Sequence, residues 1–274
     1  MEINIVIDGN YILMKNIFAL KKMNELYGNL EVSLHASLKK FMVLYPFANV
    51  FLVSDSGTSW RKNIYPEYKA NRTKSDEIDW DFVFQAYTNF KADLPKRVTL
   101  YECPNIEGDD WISHLIRTNP TTSTLIISND HDLKQLINFN NINKSMVFMS
   151  NEMYSNTKVF MPQNYHLFLS HIRDTISDNI FEVNDEDEYI RFILDFIKIR
   201  NIDIVNPIES FITKLIKGDK SDNIKSVFIT KSKNGKDRGI GDAGAQKIYN
   251  NYVSEFGEPK LNDNQLFEKK IQST

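Results

Sequence analysis

Three short apolar segments, each followed by an aspartate, constrain the fold of this chain more than any other feature. The segments are rich in Val, Ile and Leu and span residues 2–7, 49–53 and 124–127. They run into Asp8, Asp55 and Asp130, and a further short strand is expected at 98–101. Strands that alternate with helices form a parallel sheet buried on both faces. Because parallel strands end at the same edge of a sheet, we expect the three aspartates to lie together there.

Apolar residues at helical spacing predict the helices between and after these strands. The predicted helices span residues 30–45, 79–91, 106–117, a stretch from 133 onward, 164–176, 185–200 and 207–217. The acidic run at 182–188 is expected to form the start of one of them, where acids suit the helix dipole. The fold class predicted is α/β, with a catalytic domain over residues 1–162 and a helical part over 163–274.

Composition argues against a disordered chain, a disulfide-stabilised protein and a membrane protein. With 274 residues and 42% hydrophobic residues, the chain can bury a large core. The single cysteine, Cys103, cannot form an internal disulfide. No apolar run approaches the ~20 residues that span a bilayer, and no signal sequence is evident. The sequence therefore predicts a soluble cytoplasmic protein with no membrane contact.

Nine acidic residues follow separate predicted elements in small groups: Asp8, Asp55, Glu107, Asp109, Asp110, Asp130, Asp132, Asp219 and Asp222. Each one alone could be a helix cap or a turn former. Together they indicate a metal site, since like charges in one place need cations to neutralise them. Without these nine acids the net charge of −3 would become +6, which is typical of an enzyme that acts on a phosphate polymer.

Carboxylates without histidine or thiolate partners select hard cations such as Mg²⁺ or Mn²⁺. The number of acids exceeds what one Mg²⁺ uses. Two ions about 3.5–4 Å apart are therefore expected, which would clamp the attacking and leaving oxygens of a phosphodiester. No ligand spacing links the histidines, which are His35, His114, His131, His166 and His171.

A basic and aromatic segment follows Asp55 directly. It contains Trp60, Arg61, Lys62, Tyr65, Tyr68, Lys69 and Arg72. A solvated loop is the ordinary explanation of such a segment. Cations interleaved with rings also suit nucleic acid, because the cations bind phosphates while the rings stack on bases.

Two further motifs lie in the last third of the chain. Residues 218–224 read Gly-Asp-Lys-Ser-Asp-Asn-Ile, an acidic turn that follows a predicted helix. Residues 239–245 read Gly-Ile-Gly-Asp-Ala-Gly-Ala and are expected to open another helix. Backbone N–H groups at such a helix start can hold a phosphate. Between the two motifs lies a basic stretch at 225–238, which we expect to be mobile without DNA.

Taken together, these motifs resemble those of the 5′-nuclease family, which includes flap endonucleases and the 5′-nuclease domain of bacterial DNA polymerase I. The likeness runs from residue 3 to about 250, and within the family it is strongest to phage enzymes of the RNase H type. The resemblance implies a PIN-like sheet, a helical arch over about 60–92 and a helix-three-turn-helix over about 208–256. It also implies 5′-3′ exonuclease or flap endonuclease activity, with removal of RNA primers in phage replication.

The resemblance also implies roles for particular residues. The first Mg²⁺ would be held by Asp8, Asp55, Glu107, Asp109, Asp110, Asp130 and Asp132, and the second shaped by Asp219 and Asp222. Lys69 and Arg72 would steer the scissile phosphate, which places them with Asp8, Asp55, Asp130 and Asp132 as catalytic. Duplex DNA would be bound by Arg61, Lys62, Tyr68, Lys69, Arg72, Lys220, Asn223, Gly239, Gly241, Gly244 and Lys247, with K⁺ near the glycine turn.

Partners implied by the resemblance are duplex or flap DNA and RNA–DNA hybrid, bound by a monomer in the cytoplasm of an infected bacterium. A sliding clamp or a single-strand-binding protein is a further partner of such enzymes. The chain departs from the family pattern in the fourteen residues at 225–238 and in its early end after the glycine turn. Two alternatives stay open: a PIN-type endoribonuclease that cuts single strands, and a non-catalytic structure-specific DNA-binding protein.

Overall fold

The computed structural model describes residues 3–151, 157–178, 201–231, 234 and 237–259. These residues form two compact units. The first unit comprises Met1–Pro66 and Thr73–Val205, and the second comprises Glu67–Arg72 and Asn206–Thr274. The helix predicted over 185–200 and the acidic run at 182–188 lie outside the described residues.

A mixed sheet forms the centre of the first unit. Within the described residues it has eight strands: β1 (Ile3–Asp8), β2 (Asn49–Val53), β3 (Val98–Tyr101), β4 (Ser123–Ile127), β5 (Asn138–Asn140), β6 (Ser145–Ser150), β7 (Lys158–Pro162) and β8 (Asn201–Val205). The order is β3-β2-β1-β4-β6-β7-β8, with β5 paired to β6. Strands β3, β2, β1, β4 and β6 run parallel, which confirms the predicted mainly parallel sheet.

Helices cover both faces of this sheet, as its strands require. Those in the described residues are α1 (Gly9–Lys22), α2 (Leu26–Leu44), α3 (Arg61–Ile64), α4 (Trp80–Ala92), α5 (Gly108–Thr118) and α6 (Tyr165–Asp178), with a 3₁₀ turn at His131–Leu136. Ile5 and Ile7 of β1 pack in one apolar cluster with α1, α2 and α4, whereas Val6 packs in the other with α5. Each fully buried side chain of this kind contributes roughly 1.5–3 kcal/mol to folding.

Strands β5 to β8 were not predicted from the sequence. β7 returns antiparallel to β6, and β8 then adds parallel to β7 at the edge of the sheet. β8 lies in a region predicted to be mostly helical. α6 and β8 belong to the first compact unit. The predicted domain boundary after residue 162 stays a prediction.

The second half of the predicted arch over 60–92 contains α4. Val83, Ala86, Tyr87 and Phe90 of α4 are buried in the core cluster shared with α2. One face of α4 therefore packs in the core, and the extent of the arch stays a prediction.

In its described residues, the second unit contains two helices that pack against each other, α7 (Pro207–Lys217) and α8 (Asp242–Phe256). Asn206 caps α7 by accepting hydrogen bonds from the N–H groups of Ile208 at 3.0 Å and Glu209 at 3.2 Å. Between the helices, β9 (Ile229–Lys231) and β10 (Asp237–Gly239) pair antiparallel. The described parts of the stretch at 225–238 thus include β9 and the start of β10. Its expected mobility without DNA stays a prediction. In the described part of the chain, no helix is both long enough and apolar enough to cross a bilayer.

Candidate active site

The aspartates at the strand ends of the first unit lie close together, as the sequence predicted. Asp8 is the last residue of β1 and pairs with Val53, two residues before Asp55. On the other side, Ile7 pairs with Ile127, three residues before Asp130. The carboxylates of Asp55 and Asp130 are near enough to Asp8 to raise its pKa. The carboxyl edge of the sheet therefore carries a concentration of negative charge.

Asp8 is the buried member of this group. Its side chain accepts hydrogen bonds from the Ser128 hydroxyl at 2.7 Å and from the Tyr11 N–H at 3.0 Å, which also caps α1. Burial raises the pKa of Asp8 to about 6, although these two hydrogen bonds oppose the rise. A buried carboxylate with so little compensation is the kind of group that a bound cation stabilises.

Close packing fixes the backbone beside Asp8. A Cβ atom at Gly9 would lie 2.2 Å from the Tyr87 hydroxyl and 2.5 Å from the Val53 carbonyl oxygen. Burial raises the pKa of the Tyr87 hydroxyl, and the carboxylates of Asp8, Glu102 and Asp55 add to this rise. Neither Ser128 nor Tyr87 was predicted as a site residue. The only sequence signal for Ser128 is its position directly after β4.

Arg61 joins two of the predicted metal ligands. Its guanidinium contacts Glu107 at 2.7 Å and Asp110 at 2.7 and 2.8 Å. Burial would raise the pKa of Asp110, but hydrogen bonds from Arg61 and Trp60 outweigh it and hold the pKa below its usual value. Arg61 was predicted to bind DNA. In this structure its charge offsets those of Glu107 and Asp110 at the start of α5, and its role in DNA binding stays a prediction.

The other predicted metal ligands of the first unit lie after β2 and in the first turns of α5 and of the 3₁₀ turn. Asp55 is exposed and accepts the N–H of Gly108 at 2.6 Å, which links it to the first turn of α5. Asp130 accepts the N–H of Asp132 at 2.8 Å at the start of the 3₁₀ turn. Asp109 and Asp132 are half-buried.

The side chains of these acids are not oriented as a complete set of metal ligands. Over the residues that the structure describes, no three carboxylate, imidazole or thiol groups are arranged so that they could hold a metal ion. Glu107 and Asp110 are turned toward Arg61, and Asp8 toward Ser128. Metal binding would therefore require some of these side chains to rotate. The assignment of metal ligands stays a prediction.

The acidic turn at 218–224 lies in the second unit. Gly218 ends α7 with a positive φ of 70°, and a Cβ there would lie 2.5 Å from backbone atoms of Ile224 and Lys225. The turn closes through Asp219 N–H to Ile224 O at 2.8 Å and Ile224 N–H to Asp219 O at 2.6 Å. Only glycine fits this path without strain.

Cationic side chains pair with both aspartates of this turn. Burial would raise the pKa of Asp219, but hydrogen bonds from Lys214 and Ser221 hold it well below its usual value. Arg72 donates from Nη2 to the Asp222 carboxylate at 2.6 Å and from Nε to the Ser221 carbonyl at 3.1 Å. Lys214 was not predicted as a site residue, and its spacing of five residues from Asp219 gave no signal.

Residues 67–72 bind the acidic turn through several hydrogen bonds besides those of Arg72, and we call residues 67–72 with these contacts the clasp. The Lys69 N–H donates to Asp222 O at 3.1 Å, and the Asn71 amide donates to Lys220 O at 2.6 Å. The Asn223 amide donates back to Glu67 O at 3.0 Å. Lys69 and Asn223 both have positive φ, 55° and 62°. Positive φ at a non-glycine residue costs energy, and the hydrogen bonds between the two segments hold both residues in this conformation.

The predicted DNA-binding residues differ in how accessible they are. Lys62, Arg72, Lys220 and Lys247 are exposed, and Lys69 is half-buried with its Nζ 5.0 Å from the centre of the Tyr68 ring. Tyr68 is only 5% exposed. Its expected use as a base-stacking surface is therefore not supported, since a buried ring has no open face. The Asn223 amide is likewise taken up by the clasp.

The three glycines of residues 239–245 have different environments. At Gly241 a Cβ would meet nothing within 4 Å, whereas at Gly239 and Gly244 it would lie 2.8 Å from Ser226 and 2.5 Å from Ile240. Gly241 caps α8 without a side-chain hydrogen bond. The exposed N-terminus of α8 could therefore accept a phosphate, while Gly239 and Gly244 permit packing. The predicted K⁺ site stays a prediction.

Comparison with known proteins agrees with this geometry. A sequence model of the 5′-3′ exonuclease N-terminal, resolvase-like domain matches residues 4–165. The chain is also 24% identical over 253 residues to a 5′-3′ exonuclease of Mycoplasmopsis pulmonis (strain UAB CTIP), a match that covers 91% of this chain and 67% of that protein.

Solved structures of the bacteriophage T5 enzyme share the fold. The T5 5′-exonuclease with bound zinc matches with a TM-score of 0.58 and 16% identity, over 94% of this chain and 76% of that one. The T5 D15 flap endonuclease, solved as a pseudo-enzyme-product complex with DNA and metal ions, matches with a TM-score of 0.57 at the same identity and coverage. These neighbours bind divalent metal ions.

The family model covers more than half of the chain, including β1 to β7 and every acid found at the carboxyl edge of the sheet. The fold similarity extends over 94% of the chain. From its sequence, its sheet and its strand-end aspartates, this chain belongs to the 5′-3′ exonuclease family and is a nuclease.

Proposed function

We propose that this chain is a divalent-metal-dependent 5′ nuclease that hydrolyses phosphodiesters near the 5′ ends of duplex or flap DNA and of RNA–DNA hybrids. One observation carries the proposal: the strand-end aspartates Asp8, Asp55 and Asp130 meet at one edge of the sheet, and Asp8 has a raised pKa there. Ionisable groups with strongly shifted pKa values cluster at functional sites of proteins.

The donor set fits a hard divalent cation. It consists of carboxylates, and neither a thiolate nor a paired imidazole accompanies them. Asp8, Asp55, Asp130 and Asp132 would hold the first ion, together with Glu107, Asp109 and Asp110 when these turn from Arg61. Mg²⁺ at such a site supplies a water of lowered pKa and stabilises charge on phosphate oxygens. Mn²⁺ would substitute for it.

The second unit would contribute cations and a second acid pair. We assign Asp219 and Asp222 to the second ion, which the family resemblance supports. Lys69 would contact the scissile phosphate, since its ammonium is a point charge suited to phosphate. Arg72 would share that role only when it releases Asp222, because one guanidinium cannot serve both groups fully.

The biological setting proposed is removal of RNA primers during phage DNA replication. The family resemblance implies this setting, and a flap endonuclease of bacteriophage T5 has the same fold. A monomer acting on duplex ends, with a sliding clamp or a single-strand-binding protein as a further partner, remains part of the same proposal. So does a location in the cytoplasm of an infected bacterium.

Cleavage of a matched set of labelled substrates tests this function. The set consists of a 5′-flap duplex, a 5′-recessed duplex, an RNA–DNA hybrid and a single-stranded RNA, each incubated with Mg²⁺, Mn²⁺ or EDTA. We expect short products from the 5′ ends of the first three substrates, and none in EDTA.

Two results would support other functions. Cleavage of the single-stranded RNA in preference to the flap would indicate an endoribonuclease. Tight binding of the flap without products at any metal concentration would indicate a non-catalytic DNA-binding protein.

A further inference from the structure

A cavity of about 430 Å³ lies beside Asp55 in the first unit. Residues of α1, of α4 and of the loops that follow β2 and β3 line it. Its volume falls within the roughly 300–1,000 Å³ that sites for small molecules occupy. Asp55 belongs to this lining and also to the predicted metal ligands, so a group in the cavity would lie next to the predicted metal site. The other lining residues have no part in that site.

Apolar side chains from two helices form part of the lining. Leu13 of α1 and Tyr87 of α4 are both 5% exposed and belong to the core cluster, so their positions are fixed by packing. Phe84, one turn before Tyr87 on α4, is 45% exposed. Its ring keeps open surface although the Trp80 ring lies 5.8 Å and the Lys74 Nζ 4.5 Å from its centre. An exposed ring beside fixed apolar side chains suits stacking on a planar group.

Polar side chains of the lining can form hydrogen bonds with a ligand. Asn10 lies in the first turn of α1, and Thr88 follows Tyr87 on α4. The Thr88 hydroxyl donates to the Phe84 carbonyl at 2.8 Å, which leaves the lone pairs of its oxygen to accept a bond. The Asn10 amide both donates and accepts, which matches the mixed edges of nucleobases. The lining therefore offers both kinds of hydrogen-bonding group.

The charges of the lining disfavour an anion in the cavity. Lys91 and Glu102 form an ion pair with each other. Asp55 supplies a second carboxylate, so the described lining has two acids against one lysine. A phosphate would be repelled from such a cavity, whereas an uncharged ring would not. The group that fits is therefore planar, neutral and able to form hydrogen bonds at its edge.

We infer that this cavity binds the base of an unpaired nucleotide of the substrate strand, while the phosphate of that nucleotide lies at the sheet edge beside Asp55. Phe84 would stack on the base, and Asn10 and Thr88 would form hydrogen bonds with its edge. A base held in this way would fix which phosphodiester of the strand reaches the acids. The inference rests on the proposed function, because the nuclease brings the strand to Asp55.

The position of the cavity favours a base of the substrate strand over a free nucleotide. Base and phosphate of one nucleotide are joined by a single sugar, so a strand with its phosphate beside Asp55 has a base close to the cavity. A free nucleoside monophosphate carries the same ring. However, only its own contacts would hold its phosphate beside the acids, whereas a strand is also held by its other nucleotides.

Kinetics on 5′-flap duplexes that lack one base at the cleavage site test the inference. An abasic nucleotide is placed on the 5′ or on the 3′ side of the scissile phosphate, in separate substrates. In Mg²⁺, KM of the wild type should be about fivefold or more higher for one of these substrates than for the natural flap, as loss of a stacked base predicts. Phe84→Ala should raise KM for the natural flap by a similar factor, and should raise it no further for that abasic flap.

Two control variants and a direct binding measurement accompany the kinetics. Phe84→Tyr keeps a ring and should keep the wild-type KM. Phe18→Ala removes a ring that is 60% exposed on α1 outside the lining, so it should change KM for neither substrate. In EDTA, 2-aminopurine at the same position of the flap should lose fluorescence when the wild type binds, because stacking quenches it, and should lose less with Phe84→Ala.

Three outcomes would overturn the inference. One is a Phe84→Ala variant that raises KM for natural and abasic flaps by the same factor, and another is a variant that behaves as Phe18→Ala does. The third is weaker binding of free deoxyadenosine monophosphate by Phe84→Ala with an unchanged KM for the flap, which would assign the cavity to a free nucleotide. Wild-type cleavage of the natural flap is scored separately: cleavage without coupling between Phe84 and the base refutes this inference alone, and no cleavage refutes the proposed function.

Discussion

Asp8 disfavours the folded state at neutral pH when no cation neutralises it. Its pKa is about 6 in the folded protein against an ordinary 3.8, so the folded state holds a proton that the unfolded chain has already lost. For an acid with a raised pKa, the penalty is absent below the unfolded pKa and grows as pH rises through the folded one. It reaches roughly 3 kcal/mol at pH 8 and about half of that at pH 5.

Asp8→Asn should therefore stabilise the protein in EDTA, and more so as pH rises. Urea unfolding at a series of pH values between 5 and 8 measures the difference from wild type. Asp76→Asn is the matched control, because Asp76 is an exposed aspartate that lies far from Asp8 in the sequence. A difference between Asp8→Asn and wild type that stays constant with pH would contradict the assigned pKa.

Arg72 holds the acidic turn through both Asp222 and the Ser221 carbonyl. Arg72→Ala should loosen residues 219–224, so that their amide hydrogens exchange about tenfold faster or more. Arg72→Lys keeps the charge but cannot make both contacts, so we expect it to restore protection only in part. The exposed Arg117→Ala is the control. Unchanged exchange in Arg72→Ala would show that the clasp does not stabilise the turn.

At the scale of elements, the start of α1 depends on a glycine. The nearest obstacles to a Cβ at Gly9 are the Tyr87 hydroxyl and the Val53 carbonyl, which belong to α4 and β2. Gly9→Ala should therefore lower the free energy of unfolding by about 2 kcal/mol or more, a typical effect of overpacking. Adding Tyr87→Phe should recover part of the loss, because it removes the hydroxyl contact but leaves the carbonyl contact.

Gly28→Ala is the control for this pair. Gly28 lies within α2, and a Cβ there would meet nothing within 4 Å. We expect it to raise the free energy of unfolding by roughly 0.5–1 kcal/mol, because alanine restricts the unfolded chain. Equal effects of Gly9→Ala and Gly28→Ala in chemical denaturation would refute the packing argument.

The elements that the sequence predicted well are those with local signals. β1, β2 and β4 are continuous apolar runs, and α7 has an Asn-Pro start and a glycine end. β8 was missed because its pairing with β7 joins residues more than forty positions apart, and its own five residues are partly exposed. A strand of this kind is determined by its neighbour and not by its own periodicity.

The acids of the candidate site could be predicted from the sequence, whereas their partners could not. The aspartates follow from strand ends, which the sequence displays. The basic partners of the acids have no such local signal, because Arg61 and Glu107 are 46 positions apart in the sequence and Arg72 and Asp222 are 150 apart. Tyr68 was expected to be open because its neighbours are basic, but its burial depends on tertiary packing, which composition does not specify.

At the scale of the whole molecule, the two units contain different parts of the chemistry. The first has the strand-end aspartates and the acids of α5, whereas the second has the acidic turn, the clasp and the basic hairpin. Family membership rests on the first unit, where the domain match lies. The central claim is therefore that the carboxylates at the sheet edge carry hydrolysis, while nucleic-acid binding depends on the cations.

Asp55→Asn tests this claim most directly. The substitution removes one charge at an exposed position and keeps an oxygen that can accept the Gly108 N–H. Rates of product formation from a labelled 5′-flap duplex in Mg²⁺ should fall by about a hundredfold or more, while Kd for the flap in EDTA stays within about threefold of wild type. Wild-type cleavage by Asp55→Asn would contradict the account.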